Sequence, residues 1–296
     1  MFSLISRLRT ALLVIATCLA CPAAHAWGPE GHSIVAEIAQ RRLTPAAQAL
    51  VERALGRGAS LASVASWADD VRDARPTTAN LHFVNIPRGE AYEAARDCVP
   101  GPRGDCVVAA LERLRVDLAC PQGEGQLREG QLRETQLRDA LRFAVHFVGD
   151  IHQPLHTIGD ERGGNTLLVQ VDWRGLACTG RCTPRRMESN FHVVWDSVLI
   201  TSTVWNWGAY VSRLEEGWLR EAPANAADGS PANWADETHA VGRKMWDAMP
   251  ASRVLDDAYY QQALPVQDRQ LAVAGLRLAR YLNDVAARGA RSCARP

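Results

Sequence analysis

Residues 137–156 read "LRDALRFAVHFVGDIHQPLH". Apolar residues recur at helical spacing as far as Pro154, where a helix must end or bend. Such a helix places His146 and Asp150, four residues apart, on one face, and His156 follows just past the break. Working outward, the same periodicity runs through "GHSIVAEIAQRRL" (31–43), "PAAQALVERAL" (45–55), "DCVVAALERLRVDLA" (105–119) and "QDRQLAVAGLRLARYLNDVAA" (267–287). Thr44 and Pro45 read as an N-cap and first turn, with Gly56 and Gly58 ending that helix. "NTLLVQVDW" (165–173) is the one good strand candidate. The expected fold is mainly α, one helical domain over residues 27–296 with at most a small β-hairpin.

The first 26 residues read as a separate segment. Arg7 and Arg9 precede the apolar run "ALLVIATCLACPAA", and Ala24-His25-Ala26 forms an A-x-A cleavage signal. The run is short for a membrane span, and no later segment reaches about 18 apolar residues. An exported protein, secreted or periplasmic and beginning at Trp27, is the expectation; an uncleaved anchor is the alternative. The 33 basic and 33 acidic residues balance, and loss of the leader leaves a net charge of −2. No bulk positive field draws in a polyanion, so any nucleic acid must be held by local charge.

Six of the eight cysteines remain after cleavage: Cys98, Cys106, Cys120, Cys178, Cys182 and Cys293. An even count in an exported chain favours disulfides, with Cys98–Cys106 and Cys178–Cys182 as plausible local bridges. Zinc on these thiols is the competing use, but the spacings form no paired CxxC units. The stretch "GQLREGQLRETQLRD" (125–139) repeats every five residues, which fits neither a helix nor a strand face. It reads as a solvated insertion leading into the next helix.

The mature chain keeps seven histidines. "HVVWD" repeats the His-x3-Asp spacing with His192 and Asp196. One such pair can be a hydrogen-bonded couple, but two pairs plus His156 point to metal, since imidazole and carboxylate are ligands of catalytic zinc. "SWADDVR" (66–72) and "LHFVNIP" (81–87) add Asp69 and His82. Cleavage before Trp27 frees an α-amino group beside its own carbonyl oxygen. The two can chelate one metal, with His32 in reach and an amine pKa of about 7.7–8.0 easing deprotonation. His152 reads as structural and His239 as a surface residue.

"WGPEGH", "SWADDVR", "LHFVNIP", "FVGDIHQPLH", "GGN", "NFHVVWD" and "AGLRLARYLN" together resemble the zinc-dependent single-strand nucleases of the fungal S1/P1 type. The resemblance implies a helical fold and three zinc ions at the base of a cleft. It implies Asp69, His82, His146 and Asp150 on one ion, Trp27 and His32 on a second with Asp150 shared, and His156, His192 and Asp196 on the third. Asp69 rather than Asp70 fits the frame from Trp67 to Arg72, and Arg72 falls beside the cluster. Asn85 stands where the family's base pocket often has an aspartate, and Asn165 is a candidate phosphate contact. Asp69, Asp150 and Arg72 are the candidate catalytic residues. The implied activity is hydrolysis of single-stranded DNA and RNA to 5′-phosphorylated products, with 3′-nucleotidase activity open. No stable protein partner is expected. A zinc-dependent phospholipase C and a noncatalytic zinc-binding envelope protein are the alternatives.

Overall fold

The computed structural model describes residues 27–119, 129–176, 178 and 180–292. The leader over 1–26, Cys120, Cys293 and the start of the five-residue repeat lie outside the described residues. Helix α1 (Pro29–Gln40) begins with Pro29 in its first turn and buries Ile34, Val35, Ile38 and Ala39, the face that the periodicity marks. Helix α2 (Pro45–Leu55) is capped by Thr44, whose side chain accepts from the Ala47 amide at 3.3 Å. Gly56 ends it at φ 94°, a conformation open to glycine because it has no Cβ. Helices α3 (Val107–Ala119) and α4 (Glu129–Asp150) follow. α4 begins inside the repeat, and Leu137 is already buried. The later part of the repeat is therefore the start of the helix rather than an insertion before it.

Two apolar clusters organise the chain. The larger joins α1, α2, α3 and α4 to α5 (Trp207–Glu216) and to the long α7 (Asp257–Ser292). α7 crosses α1 closely at Gly275, where a Cβ would fall 2.4 Å from Ile38 Cγ2. α7 begins ten residues before the expected 267–287 stretch. Asp256 supplies its cap by accepting from the Ala258 and Tyr259 amides at 3.0 Å each, and Tyr259, Tyr260 and Ala263 bury in the second cluster.

That second cluster lies under a small sheet. β1 (Leu168–Trp173) pairs antiparallel with β2 (Arg185–Asn190), from Leu168↔Asn190 to Trp173↔Arg185. A third strand, β3 (Val254–Asp256), adds in parallel on the other side of β1. The sheet thus exceeds the expected hairpin by one strand, too short to show alternation in sequence. Helix α6 (Pro231–Asp247) precedes β3. Both local disulfides, Cys98–Cys106 and Cys178–Cys182, are formed. Among the described residues no helix is long and apolar enough to cross a membrane.

Candidate metal centre

Elements of both clusters contribute to one buried group of imidazoles and carboxylates. α4 carries His146 and Asp150 one turn apart, with Asp150 its last residue. The α1 side supplies His32, whose ring stacks on His146 with centroids 3.8 Å apart. His32 lies against Gly149, where a Cβ would meet its Nδ1 at 2.7 Å. The short helix Trp67–Asp70 brings in Asp69, and the following loop brings His82. Asp70, by contrast, is exposed. The turn Pro154–Thr157 holds His156.

His192 and Asp196 arrive differently from the expected α-helical pair. Phe191–Val193 is one short α turn, and Val194–Val198 is π-helical. Such bulges are rare and concentrate at functional sites. The wider turn still leaves His192 Nε2 3.4 Å from Asp196 Oδ2.

The distances define three groups. His82 Nδ1 and His146 Nε2 lie 3.4 and 3.5 Å from Asp69 Oδ1, and 3.1 and 3.2 Å from Asp150 Oδ2. Asp150 Oδ1 lies 3.5 Å from His32 Nε2. In each of the sets His32–His146–Asp150, Asp69–His82–His146 and His156–His192–Asp196, the candidate ligand atoms lie within 4.8 Å of one another.

The second nitrogen of several rings is already committed. His146 Nδ1 pairs with the Ala65 carbonyl at 2.7 Å, His156 Nδ1 with the His82 carbonyl at 2.8 Å, and His192 Nδ1 with the Gly163 carbonyl at 2.7 Å. A carbonyl partner accepts a hydrogen bond from Nδ1–H and leaves the Nε2 lone pair facing inward, as in metal-binding histidines. His82 Nδ1 and His146 Nε2 lie 3.1 Å apart, close enough for one cation to contact both. His32 Nε2, His156 Nε2, Asp150 Oδ1 and Asp196 Oδ2 are buried without a hydrogen bond among the described residues, and buried polar atoms ordinarily have one.

Electrostatics points the same way. Burial, then the neighbouring His146, lowers the His32 pKa to about 3. Burial and His156 do the same for His192. Both rings are therefore neutral near pH 7, the form that binds a metal. Burial works against the Asp150 charge, but His146, His82 and His156 together outweigh it and hold the carboxyl well below its usual range. Burial likewise opposes the His146 charge, but Asp150 and Asp69 outweigh it and hold that imidazole well above its usual range. Asp196 is pushed well up by burial, against a Gln153 hydrogen bond and with Asp69 and Asp150 adding repulsion. A buried set of imidazoles and crowded carboxylates, one ending a helix at its negative pole, suits divalent cations.

Trp27 is fully buried beside this group. Its indole Nε1 donates to the Gly149 carbonyl at 2.9 Å, and the Gly28 amide donates to the Asp196 carbonyl at 2.9 Å. The start of the described chain is thereby tied to two of the segments that carry the carboxylates.

Above the group opens a cleft of about 490 Å³. His82, His156 and His192 line it together with Arg72, Asn85 and Asn165, so the sequence candidates converge on one cavity. Arg72 Nη2 donates to the Ala79 carbonyl at 2.8 Å, and Asn165 Nδ2 to the Arg162 carbonyl at 2.9 Å.

Sequence patterns did not reveal Gln153. Its fully buried amide donates to Asp196 Oδ1 at 2.5 Å while its carbonyl accepts from the Leu155 amide. The hint was its place inside "HQPLH", but an amide carries no charge pattern to read. His152 is structural as expected: its Nδ1 donates to the Val148 carbonyl at 2.7 Å and its Nε2 accepts from Arg277 at 3.1 Å. The surface expectation for His239 is overturned. It is 2% exposed, with Nδ1 2.8 Å from the Thr157 carbonyl, because α6 packs it onto the turn that bears His156.

The fold and the site define a mainly helical protein built around buried groups of imidazoles and carboxylates that could hold metal ions at the base of a cleft. The S1/P1 nuclease family model matches residues 27–287. The chain is 30% identical to endonuclease 2 of Arabidopsis thaliana, an alignment spanning 90% of this chain and 92% of that protein. It is 28% identical to nuclease S1 of Aspergillus oryzae, over 88% of this chain and 92% of the relative. Nuclease P1 of Penicillium citrinum is also 28% identical, over 88% and 97% respectively. The chain belongs to the S1/P1 nuclease family and is a phosphodiesterase of the endonuclease type.

Proposed function

We propose that this chain is an exported, zinc-dependent endonuclease that prefers single-stranded DNA and RNA and leaves 5′-phosphorylated ends. The observation that carries it is the triple grouping of buried imidazoles and carboxylates beneath the cleft. Oxygen and nitrogen donors without thiolates suit zinc in a catalytic setting. Asp69, His82, His146 and Asp150 would hold one ion. The Trp27 amine and carbonyl oxygen and His32 would hold a second, sharing Asp150, and His156, His192 and Asp196 a third. When bound, zinc supplies Lewis acidity toward the phosphate and lowers the pKa of water toward neutrality.

The protein's own groups do the rest. Asp69 and Asp150 orient the imidazoles and balance their surroundings. Gln153 fixes one oxygen of Asp196, which leaves the other to face His192. Arg72 and Asn165 place donors beside a phosphate in the cleft. Asn85 reads a base edge and, as an amide, can both donate and accept. Export accords with the leader sequence and with the two disulfides.

A base that must enter the cleft has to leave its stack, and unpairing a duplex costs a few kcal/mol. Single strands should be cut about ten- to a thousandfold faster than matched duplexes. The test is zinc analysis of the mature protein with rates on both substrates, before and after chelation. Equal rates on the two, or full rates in zinc-free protein, would refute it.

A further inference from the structure

Apart from the metal-group residues, the charged side chains lining the cleft are Arg72, Arg103, Arg162 and Asp73. In a chain whose charges balance overall, this is a local cationic excess. Arg103 and Arg162 reach the cleft from different segments, and each is held by its backbone. The loop bearing Arg103 is closed by Cys98–Cys106. Its carbonyl accepts from the Asn80 amide at 2.8 Å. The next residue, Gly104, takes φ 94° and presses so close that a Cβ would fall 2.8 Å from the Thr77 carbonyl. Arg103 is thus fixed to the segment that leads into His82. Arg162 sits at φ 54°, ψ 47°, in a turn whose next carbonyl receives His192 Nδ1. Left-handed backbone at a bulky residue is strained and concentrates at functional sites.

The nearest acids in sequence are turned elsewhere. Asp105, two residues from Arg103, pairs with both terminal nitrogens of Arg113 at 2.5 and 2.9 Å. Asp160, two residues from Arg162, pairs with Arg88 at 2.5 Å. Glu161 accepts from the Thr166 hydroxyl. Neither the Arg103 nor the Arg162 guanidinium has an ion pair among the described residues, and both residues are exposed. Two guanidiniums carried on fixed backbone, whose neighbouring acids are occupied, are suited to phosphodiester groups.

We propose that Arg103 and Arg162 bind backbone phosphates that flank the scissile one, so that the cleft grips a strand over several nucleotides. This rests on the nuclease function proposed above. Contacts of this kind release counterions, so log(kcat/KM) on a long single strand falls with log[salt] by about 0.7 for each phosphate engaged.

The experiment compares a long single-stranded oligonucleotide with a dinucleoside monophosphate, which has no flanking phosphate, across a salt series. Arg103→Ala and Arg162→Asn are the variants, asparagine being chosen because it tolerates the left-handed backbone. Each should reduce the preference for the long substrate about twofold to tenfold and make the salt slope shallower by about 0.7. Arg103→Lys should retain the slope, because it keeps the charge. An unchanged slope and preference in both variants would overturn the proposal. So would equal losses on both substrates, which would put the arginines on the scissile phosphate or in the fold. A wild-type enzyme that cuts neither substrate would refute the nuclease function instead.

Discussion

Asp150 shows how much one side chain can be asked to do. It is fully buried, one oxygen faces His82 and His146, and the other faces His32 and His156. A carboxylate shared in this way should support two ions, whereas Asn85, exposed at the cleft, should act on bound substrate alone. Asp150→Asn keeps the shape and removes the charge. It should bind fewer zinc ions per chain and lose at least about a hundredfold in activity, since even outer partners of ligands are worth about ten- to a hundredfold. Asn85→Ala should retain its zinc and change mainly KM or base preference. Elemental analysis beside steady-state kinetics separates the two, and native zinc content with near-native turnover in Asp150→Asn would remove it from the centre.

At the scale of elements, the turn Glu161–Gly164 supports the His192 ring. Its residues all have positive φ, and Gly163 at φ 66° supplies the carbonyl that His192 contacts. A Cβ on Gly163 would come within 2.7 Å of the Leu155 carbonyl and 3.3 Å of His192 Nδ1. Gly58 is a control at φ 81° with nothing near its missing Cβ. Alanine at either site carries the left-handed penalty, about 1–2 kcal/mol, which denaturant melts should detect in both. Only Gly163→Ala should also weaken zinc binding and slow hydrolysis, because only there does the new methyl displace a ring. Equal activity in the two variants would mean that the turn does not hold His192 in place.

For the whole molecule, the decisive question is where the chain begins. Trp27 is buried against the centre, held through its indole and through the next amide. If its amino group binds zinc, it must be free, because a peptide nitrogen has its lone pair delocalised into the amide. A form that retains methionine before Trp27 should fold, since α1, α4 and α7 pack without that residue. It should bind less zinc and be nearly inactive until the methionine is removed. Mass spectrometry of the amino terminus, paired with zinc content and rate, reads the outcome. Full loading and activity in the extended form would exclude the amine as a ligand.

The sequence by itself determined the helices, because the buried faces of α1 and α2 and the Thr44 cap are local patterns that a period of 3.6 residues makes visible. It also determined the candidate ligands, since His-x3-Asp spacing and recurring motifs are chemical signatures carried in a few adjacent residues. Only the tertiary structure decided how they are shared. That Asp150 faces four imidazoles, that Gln153 holds Asp196, and that His239 is buried all depend on segments far apart in the chain. The same holds for Arg103 and Arg162, whose spare charge follows from which acid each nearby arginine captures. Periodicity records which face of an element is covered; it does not record what covers it, and contacts across the fold arise only when separate elements pack together.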